Sequence, residues 1–365
     1  MKKVTHVITT ISRGGAENQL MVLAREQISN GWHVSIVYLK DEPELIDAFK
    51  KIGVEVITEC AKRGVIGQVF WLRNYFKKQK SLIHAHLPRA EILTTLAAPK
   101  QSFVISRHNA EKFFPSAPLW ISSLLSRLVT NRAKSGIAIS KAVEIFLRSK
   151  NEISKNFRIS VIYYGYDNSL PVNENKKLNR ADFGLKKNDF IFGTIGRIVP
   201  QKDYPTLLRA FSIVSRDLNN CKLLIIGDGS LGIDMHKLSN ELGISDKVVW
   251  HGRTNKIVEI LNLMDCFVLA SLYEGFGLVL LEAMSANIPI VASDISAIPE
   301  VLGNRYPLLS IPGDPSNFAK NMSLVANLSK NERLKLLETQ SIQLEKFNPQ
   351  RMCISIEKIY SEIAY

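Results

Sequence analysis

Gly196-Arg197-Ile198-Val199-Pro200-Gln201-Lys202-Asp203, Ile226-Gly227-Asp228-Gly229 and Glu274-Gly275-Phe276-Gly277-Leu278-Val279-Leu280-Leu281-Glu282 each follow a short apolar run and lead into a helical pattern. This is the strand–loop–helix alternation of a doubly wound α/β domain, whose ligands bind outside the carboxyl ends of the strands. The three segments bring to that place two cations, glycine-lined turns and two carboxylates. Arginine offers phosphate oxygens a planar fork and lysine a point charge. The combination suits a diphosphate ester that carries hydroxyl groups.

On either side of this stretch the same alternation continues. Short β-branched runs at 4–9, 34–39, 54–58, 82–86, 103–106, 136–139 and 159–163 are expected as strands of a parallel sheet covered on both faces. Helical patterns such as 16–28 and 66–78 fill the gaps. A second strand series is expected at 191–195, 222–226, 248–251, 266–270, 289–292 and 308–311. The polar stretch 168–180, with Pro171 and four asparagines, reads as a linker between the two series. Phe347-Asn348-Pro349 breaks the chain before a last helix that runs to about Ile363. The expected organisation is two Rossmann-like, doubly wound parallel-sheet domains, residues 1–168 and 169–347, facing a central cleft, with a crossover helix over about 348–365.

The chain has 365 residues, 46% of them hydrophobic, enough for two domains with separate cores. Cys60, Cys221, Cys266 and Cys353 are scattered and form no Cys-x-x-Cys pair, so neither a disulfide framework nor a zinc site follows. Met1-Lys2-Lys3 is followed by an apolar run too short and too polar for a signal peptide. No segment approaches the roughly 20 apolar residues of a membrane span. A cytoplasmic location, peripheral on the inner membrane face, is the expectation.

The charge is one-sided. Residues 1–168 carry 25 Lys+Arg against 13 Asp+Glu, and the remainder carries 22 against 21. A basic first half points to a polyanionic partner, either nucleic acid or an anionic membrane. No nucleic-acid-binding motif is recognisable, which favours the membrane. The amphipathic segment 119–129, preceded by Phe113-Phe114-Pro115 and followed by Arg132 and Lys134, fits an interfacial helix. A buried core helix carries nearly the same pattern, and both readings stay open.

Gly227-Asp228-Gly229-Ser230-Leu231-Gly232 fits the dinucleotide fingerprint G-x-G-x-x-G, which also requires an acidic residue at the end of the next strand. That strand ends Val249-Trp250-His251-Gly252, so an NAD site is not expected. In the first half, Arg13-Gly14-Gly15-Ala16-Glu17 joins the first strand to its helix and allows close backbone approach to a phosphate or sugar. An ordinary glycine turn is the alternative. His84 and His86 share one strand face, but no third metal ligand is evident from the sequence.

The order and spacing of these segments resemble the family-4 retaining glycosyltransferases, which have the GT-B fold, across most of the chain. The resemblance implies that Arg197 and Lys202 bind the donor diphosphate, with Gly196 and Gly227 shaping the turns beside it. It implies that Glu274 contacts hydroxyls of the donor sugar and Glu282 the nucleotide ribose, as the two ends of an E-x7-E motif. Gly14 and Gly15 match the N-terminal glycine loop. Gly275, Phe276, Gly277 and Leu278 line the donor site, and His108 reaches the transferred sugar. No Asp-x-Asp sequence occurs, so protein cations and helix dipoles are expected to replace a metal, and no cofactor is expected. Retention of configuration by a front-face route leaves no side-chain nucleophile to assign. Tyr164-Gly165-Tyr166-Asp167 departs from the family's Asn-Gly-Val/Ile-Asp at its first position.

The implied activity is transfer of a hexose or N-acetylhexosamine from a nucleoside-diphosphate sugar, with UDP the nucleotide the family uses most. The implied acceptor is a surface polysaccharide, lipopolysaccharide or polyprenyl-linked glycan. Two alternatives stand beside it: a nucleotide-sugar epimerase on the same fold, and a non-catalytic nucleotide-sugar-binding subunit.

Overall fold

The computed structural model describes residues 2–40, 43–98, 102–167 and 178–363. The chain divides into two compact units, Met1–Asp167 with Phe347–Tyr365, and Asn168–Lys346. Most of the expected linker, residues 168–177, lies outside the described residues.

The first unit is a parallel sheet of seven strands: β1 (Lys3–Ile8), β2 (His33–Tyr38), β3 (Glu55–Ile57), β4 (Leu82–His86), β5 (Phe103–Arg107), β6 (Ser135–Ala138) and β7 (Ile159–Val161). Their order is β3-β2-β1-β4-β5-β6-β7, so the winding reverses between β1 and β4. Val4, Val7, Ile36, Val37, Ile83, Val104 and Ile105 are buried, as helices covering both sheet faces require. The register sets Ile8 beside His86, and His86 beside Ser106. The carboxyl ends of β1, β4 and β5 therefore meet at the reversal, where a doubly wound sheet opens a crevice. The Pro349–Ile363 helix packs on the Gly15–Ser29 helix of the same unit.

The second unit is a parallel sheet of six strands: β8 (Phe190–Ile195), β9 (Cys221–Ile226), β10 (Val248–His251), β11 (Cys266–Leu269), β12 (Ile290–Ser293) and β13 (Leu309–Ser310). The order β10-β9-β8-β11-β12-β13 reverses between β8 and β11. All the strands expected from the sequence form, with ends displaced by at most two residues. The fold is GT-B, two doubly wound α/β units of parallel strands.

Candidate functional site

In the second unit, the loops leaving β8, β9 and β11 meet at the reversal point, and hydrogen bonds stitch them together. The Gly196 amide donates to the Ile226 carbonyl at 3.0 Å, and the Ile198 amide to the Asp228 carbonyl at 2.8 Å. Gly227 has φ +134, and a Cβ there would sit 2.1 Å from the Gly196 carbonyl oxygen. The sequence expectation is that Gly227 shapes the turn beside the donor diphosphate. The structure shows that it first admits the neighbouring backbone. Any side chain would push the β8 loop, and Arg197 with it, out of place.

Arg197 sits exposed on that loop. Lys202 follows on the short Pro200–Lys202 turn and is only 16% exposed at its side chain. Its ammonium lies 2.5 Å from the Glu274 carboxylate, whose same oxygen accepts from Ser271 Oγ at 2.7 Å. Two further bonds tie the same loops. The Leu272 amide donates to the Gln201 carbonyl at 2.8 Å, and the Gln201 amide nitrogen donates to the Tyr273 carbonyl at 2.9 Å. The structure thus brings Lys202 and Glu274, 72 residues apart, into one ion pair.

Gly277 has φ +90, a left-handed conformation that favours glycine, and it precedes the Leu278–Ser285 helix. Gly275 and Leu278 are half-buried beside it. Phe276 is 2% exposed, so its ring belongs to the core and only its backbone remains to face a ligand. Glu282 lies on the helix, half-buried, and burial pushes its carboxyl up to about 7.

In the first unit, Gly14 and Gly15 open the Gly15–Ser29 helix, and the Glu17 carboxylate curls back to accept from Thr10 at 2.8 Å. His108 follows β5 and is half-buried, with burial as the main cause of a pKa lowered to about 4. Its Nδ1 lies 2.5 Å from the Tyr164 hydroxyl, so the residue that departs from the family's asparagine touches a candidate site residue. His86 Nδ1 lies 3.3 Å from His108 Nε2.

Sequence reasoning found no third partner for His84 and His86. The parallel register supplies one, by placing His6 directly beside His84. The three rings are close enough to share a metal ion. Every ring nitrogen of the trio is nevertheless already hydrogen-bonded within the protein. Sequence reasoning also missed a buried charge cluster. The Arg107 guanidinium lies 2.9 Å from Glu91 and 3.6 Å from Glu152, and both carboxylates are wholly buried. The available signal was slight: an arginine at the end of β5, with Glu91 in the Pro88–Ala97 helix before it and Glu152 just past the Lys141–Ser149 helix after it.

The Leu119–Arg132 helix turns the expected amphipathic pattern outward. It buries Ser122, Ser126 and Thr130 along with Val129. It leaves Trp120 70% and Leu124 62% exposed, with Leu119 and Leu128 also exposed. A shallow hollow of about 980 Å³ runs along this face, with Arg127 and Lys150 on its margin. Leu119, Trp120, Leu124 and Leu128 are therefore not core residues, whereas Val129 is. Arg132 is not part of the exposed face, because it donates to the Ala98 carbonyl at 2.8 Å.

Two family models match consecutive parts of the chain: Glycosyltransferase Family 4 over residues 13–170, and Glycosyl transferases group 1 over residues 175–339. The chain belongs to the family-4 glycosyltransferases. It is 34% identical to an uncharacterized glycosyltransferase of Methanocaldococcus jannaschii, over 34% of this chain and 31% of that protein. It is 33% identical to the UDP-Gal:alpha-D-GlcNAc-diphosphoundecaprenol alpha-1,3-galactosyltransferase of Escherichia coli, over 41% of this chain and 40% of that protein. The matches thus span less than half of either relative's length. Among solved structures, Anabaena HepE in complex with UDP and glucose superposes with a TM-score of 0.84 at 20% identity, covering 99% of this chain and 100% of that one. At that identity the likeness establishes the fold.

Proposed function

We propose that this chain is a retaining glycosyltransferase that moves a hexose or N-acetylhexosamine from a UDP-sugar to a polyprenyl-linked or surface-glycan acceptor. The observation that carries the reading is the pairing of Lys202 with Glu274 beside Arg197, at the winding reversal of the second unit. Bond cleavage leaves growing negative charge on the departing diphosphate, and preorganised cations stabilise it more than they stabilise the ground state. Arg197 and Lys202 supply that charge, with the backbone amides at the Leu278–Ser285 helix start as auxiliary donors. Glu274 positions the sugar, and its neighbour Lys202 then has both a carboxylate and a phosphate to serve. Glu282 holds the ribose. Gly14, Gly15 and His108 are the first unit's own candidate residues, as the family resemblance implies. No metal or cofactor takes part.

The acceptor class is supported by the Escherichia coli relative, whose name specifies a diphosphoundecaprenol-linked sugar. It is also supported by the outward apolar face of the Leu119–Arg132 helix, which fits peripheral attachment to an anionic cytoplasmic membrane surface. Among the described residues, no helix is long and apolar enough to cross a membrane.

The test is a screen of UDP-sugars for thermal stabilisation, then transfer to a polyprenyl-diphosphate sugar with and without chelator, with the anomer of the product read by NMR. Expected are transfer that survives chelation and a retained configuration. An inverted product, abolition by chelator, or a new sugar formed from donor alone overturns the reading.

A further inference from the structure

A continuous file of hydrogen bonds runs through the interior of the first unit. Gln27 Oε1 lies 2.9 Å from His6 Nε2, and His6 Nδ1 lies 2.9 Å from His86 Nε2. His86 Nδ1 lies 3.3 Å from His108 Nε2, and His108 Nδ1 lies 2.5 Å from the Tyr164 hydroxyl. Gln27, His6 and His86 are 0%, 0% and 3% exposed, so the file is shielded from bulk solvent.

Each neutral imidazole has one N–H and one bare nitrogen, and a chain of them must share a single direction. The Gln27 oxygen can only accept, so His6 carries its proton on Nε2. His6 Nδ1 is then bare and accepts from His86 Nε2–H. His86 Nδ1 in turn accepts from His108 Nε2–H, and His108 Nδ1 accepts from Tyr164. A second arm agrees with this direction. The Gln27 amide nitrogen faces the Tyr360 hydroxyl at 3.4 Å, Tyr360 faces His84 Nδ1 at 2.7 Å, and His84 Nε2 faces Ser106 Oγ at 2.8 Å.

We propose that Gln27 is a positioning residue which, through His6 and His86 and against Tyr164, fixes His108 as the neutral Nε2–H tautomer with both ring nitrogens occupied. His108 then serves the transfer as an oriented, uncharged wall and not as a proton acceptor. That consequence rests on the reading of the site given above, whereas the tautomer assignment does not. Burial lowers the basicity of all four histidines, in keeping with a neutral file. The charged or titratable groups that act on its ends are Arg107 on His108 and Glu17 on Tyr164 at one end, and Cys353 and Glu357 on Tyr360, the Gln27 partner, at the other.

The experiment is long-range proton–nitrogen NMR of the full chain labelled at histidine, which separates the two neutral tautomers from the imidazolium. In the wild type, His6, His86 and His108 are expected as Nε2–H tautomers. Gln27→Leu removes the acceptor and is expected to redistribute the His108 proton, although His108 does not touch Gln27. Transfer should fall roughly tenfold to a hundredfold in kcat, the scale for losing an orienting partner, with donor KM little changed. Gln27→Glu keeps the shape, guards against a variant that fails to fold, and should bring an imidazolium signal into the file. Unchanged His108 signals in a folded Gln27→Leu protein overturn the proposal. So does stoichiometric binding of added zinc with loss of the N–H signals, which would make the trio a metal site. If His108→Ala keeps full transfer while the Gln27 variants shift the tautomers as expected, the site reading fails and the clamp stands.

Discussion

Lys202 and Glu274 form an ion pair at 2.5 Å in which the Glu274 side chain is 7% exposed, while Arg197, on the same loop as Lys202, is exposed. The two cations assigned to one diphosphate therefore differ in what they do before any ligand arrives. The Arg197 side chain makes no hydrogen bond or ion pair among the described residues, so under the proposed reading it answers only to what binds. Lys202 also neutralises a nearly buried carboxylate.

The difference separates rate from stability. Arg197→Ala and Lys202→Ala are each expected to slow sugar transfer by about 10² or more, the scale for removing one preorganised charge-stabilising donor. Arg197→Ala should leave stability within about 0.5 kcal/mol, as an exposed substitution does. Lys202→Ala should cost about 1–3 kcal/mol, because it strands Glu274; breaking a fully buried pair costs more, about 3–5 kcal/mol. The Lys202→Ala/Glu274→Ala double variant should be more stable than the sum of its parts, as coupled partners are. Urea unfolding gives the comparison. Strict additivity would mean that the pair carries no coupling.

Glu282 supplies a pH-dependent test of the ribose assignment. Its carboxyl, raised to about 7 by burial, is divided between its two forms near neutrality. A carboxylate accepts two hydroxyls better than a carboxylic acid does. UDP binding should therefore weaken as pH falls from 8 to 6, with a proton released on binding near pH 7. Glu282→Gln should abolish this component while keeping the shape, and the titration of the nucleotide's own phosphate remains as its background. Glu282→Ala should weaken UDP binding about tenfold or more, on the scale of losing a hydrogen bond to a charged group. Calorimetry in two buffers of different ionisation enthalpy measures both. A Glu282→Gln protein with the wild-type proton release would place the titrating group elsewhere.

The buried histidines and the buried carboxyls pull stability in opposite directions with pH. His6 and His108 are lowered to about 4, and His84 and His86 well below their usual value. The unfolded chain binds their protons from about 6.5 downward. The stability they contribute is therefore present above 6.5 and lost as pH falls towards 4. Glu91 and Glu282, both raised to about 7 chiefly by burial, act in reverse. Their contribution is present below 4.5 and lost as pH rises through 7. Four histidines outweigh two carboxyls below pH 6.5, although Glu17 and Glu152 are also raised and soften the slope. Stability should peak at about pH 6.5–7 and fall by roughly 1–3 kcal/mol per pH unit between 6 and 5, from the proton linkage. Urea unfolding at several pH values checks this, and a protein equally stable at pH 5 and 7 contradicts it.

The strand runs were legible because parallel strands covered on both faces must be β-branched and apolar throughout, and the glycine turns because few residues accept those conformations. The site segments of the second unit were legible for a related reason: each lies within a few residues of a strand end. What stayed hidden depended on register between distant strands. Nothing local in Val4–Thr5–His6–Val7 says that His6 lies beside His84, and nothing near Gln27 says that it ends a file at Tyr164. Phe276 illustrates a different limit. A motif position says that a residue is present, not whether its ring or its backbone faces the site. The Leu119–Arg132 helix shows a third. An amphipathic period gives a stripe of apolar residues but not which way the stripe points, and here the small hydroxyl residues point in.

That inversion makes the membrane hypothesis testable without disturbing the fold. Trp120 and Leu124 are mostly exposed, so replacing them by serine should leave urea stability within about 0.5 kcal/mol. Binding to vesicles that contain an anionic lipid should nevertheless fall steeply, because an interfacial helix binds in proportion to its buried apolar area. The cationic margin acts separately. Arg127, Lys134 and Lys150 are exposed, whereas Arg132 is held by the Ala98 carbonyl and belongs to the structural set. Replacing Arg127, Lys134 and Lys150 by glutamine should weaken binding at low salt, by about 1 kcal/mol for each cation at the surface. The same variant should show little difference at high salt, where exposed charges are screened. Arg132→Gln should instead cost stability. Vesicle co-sedimentation with neutral and anionic lipid at two salt concentrations resolves the two terms. Wild-type binding by the Trp120→Ser/Leu124→Ser variant, or wild-type indifference to anionic lipid, would assign this apolar face to a protein partner instead.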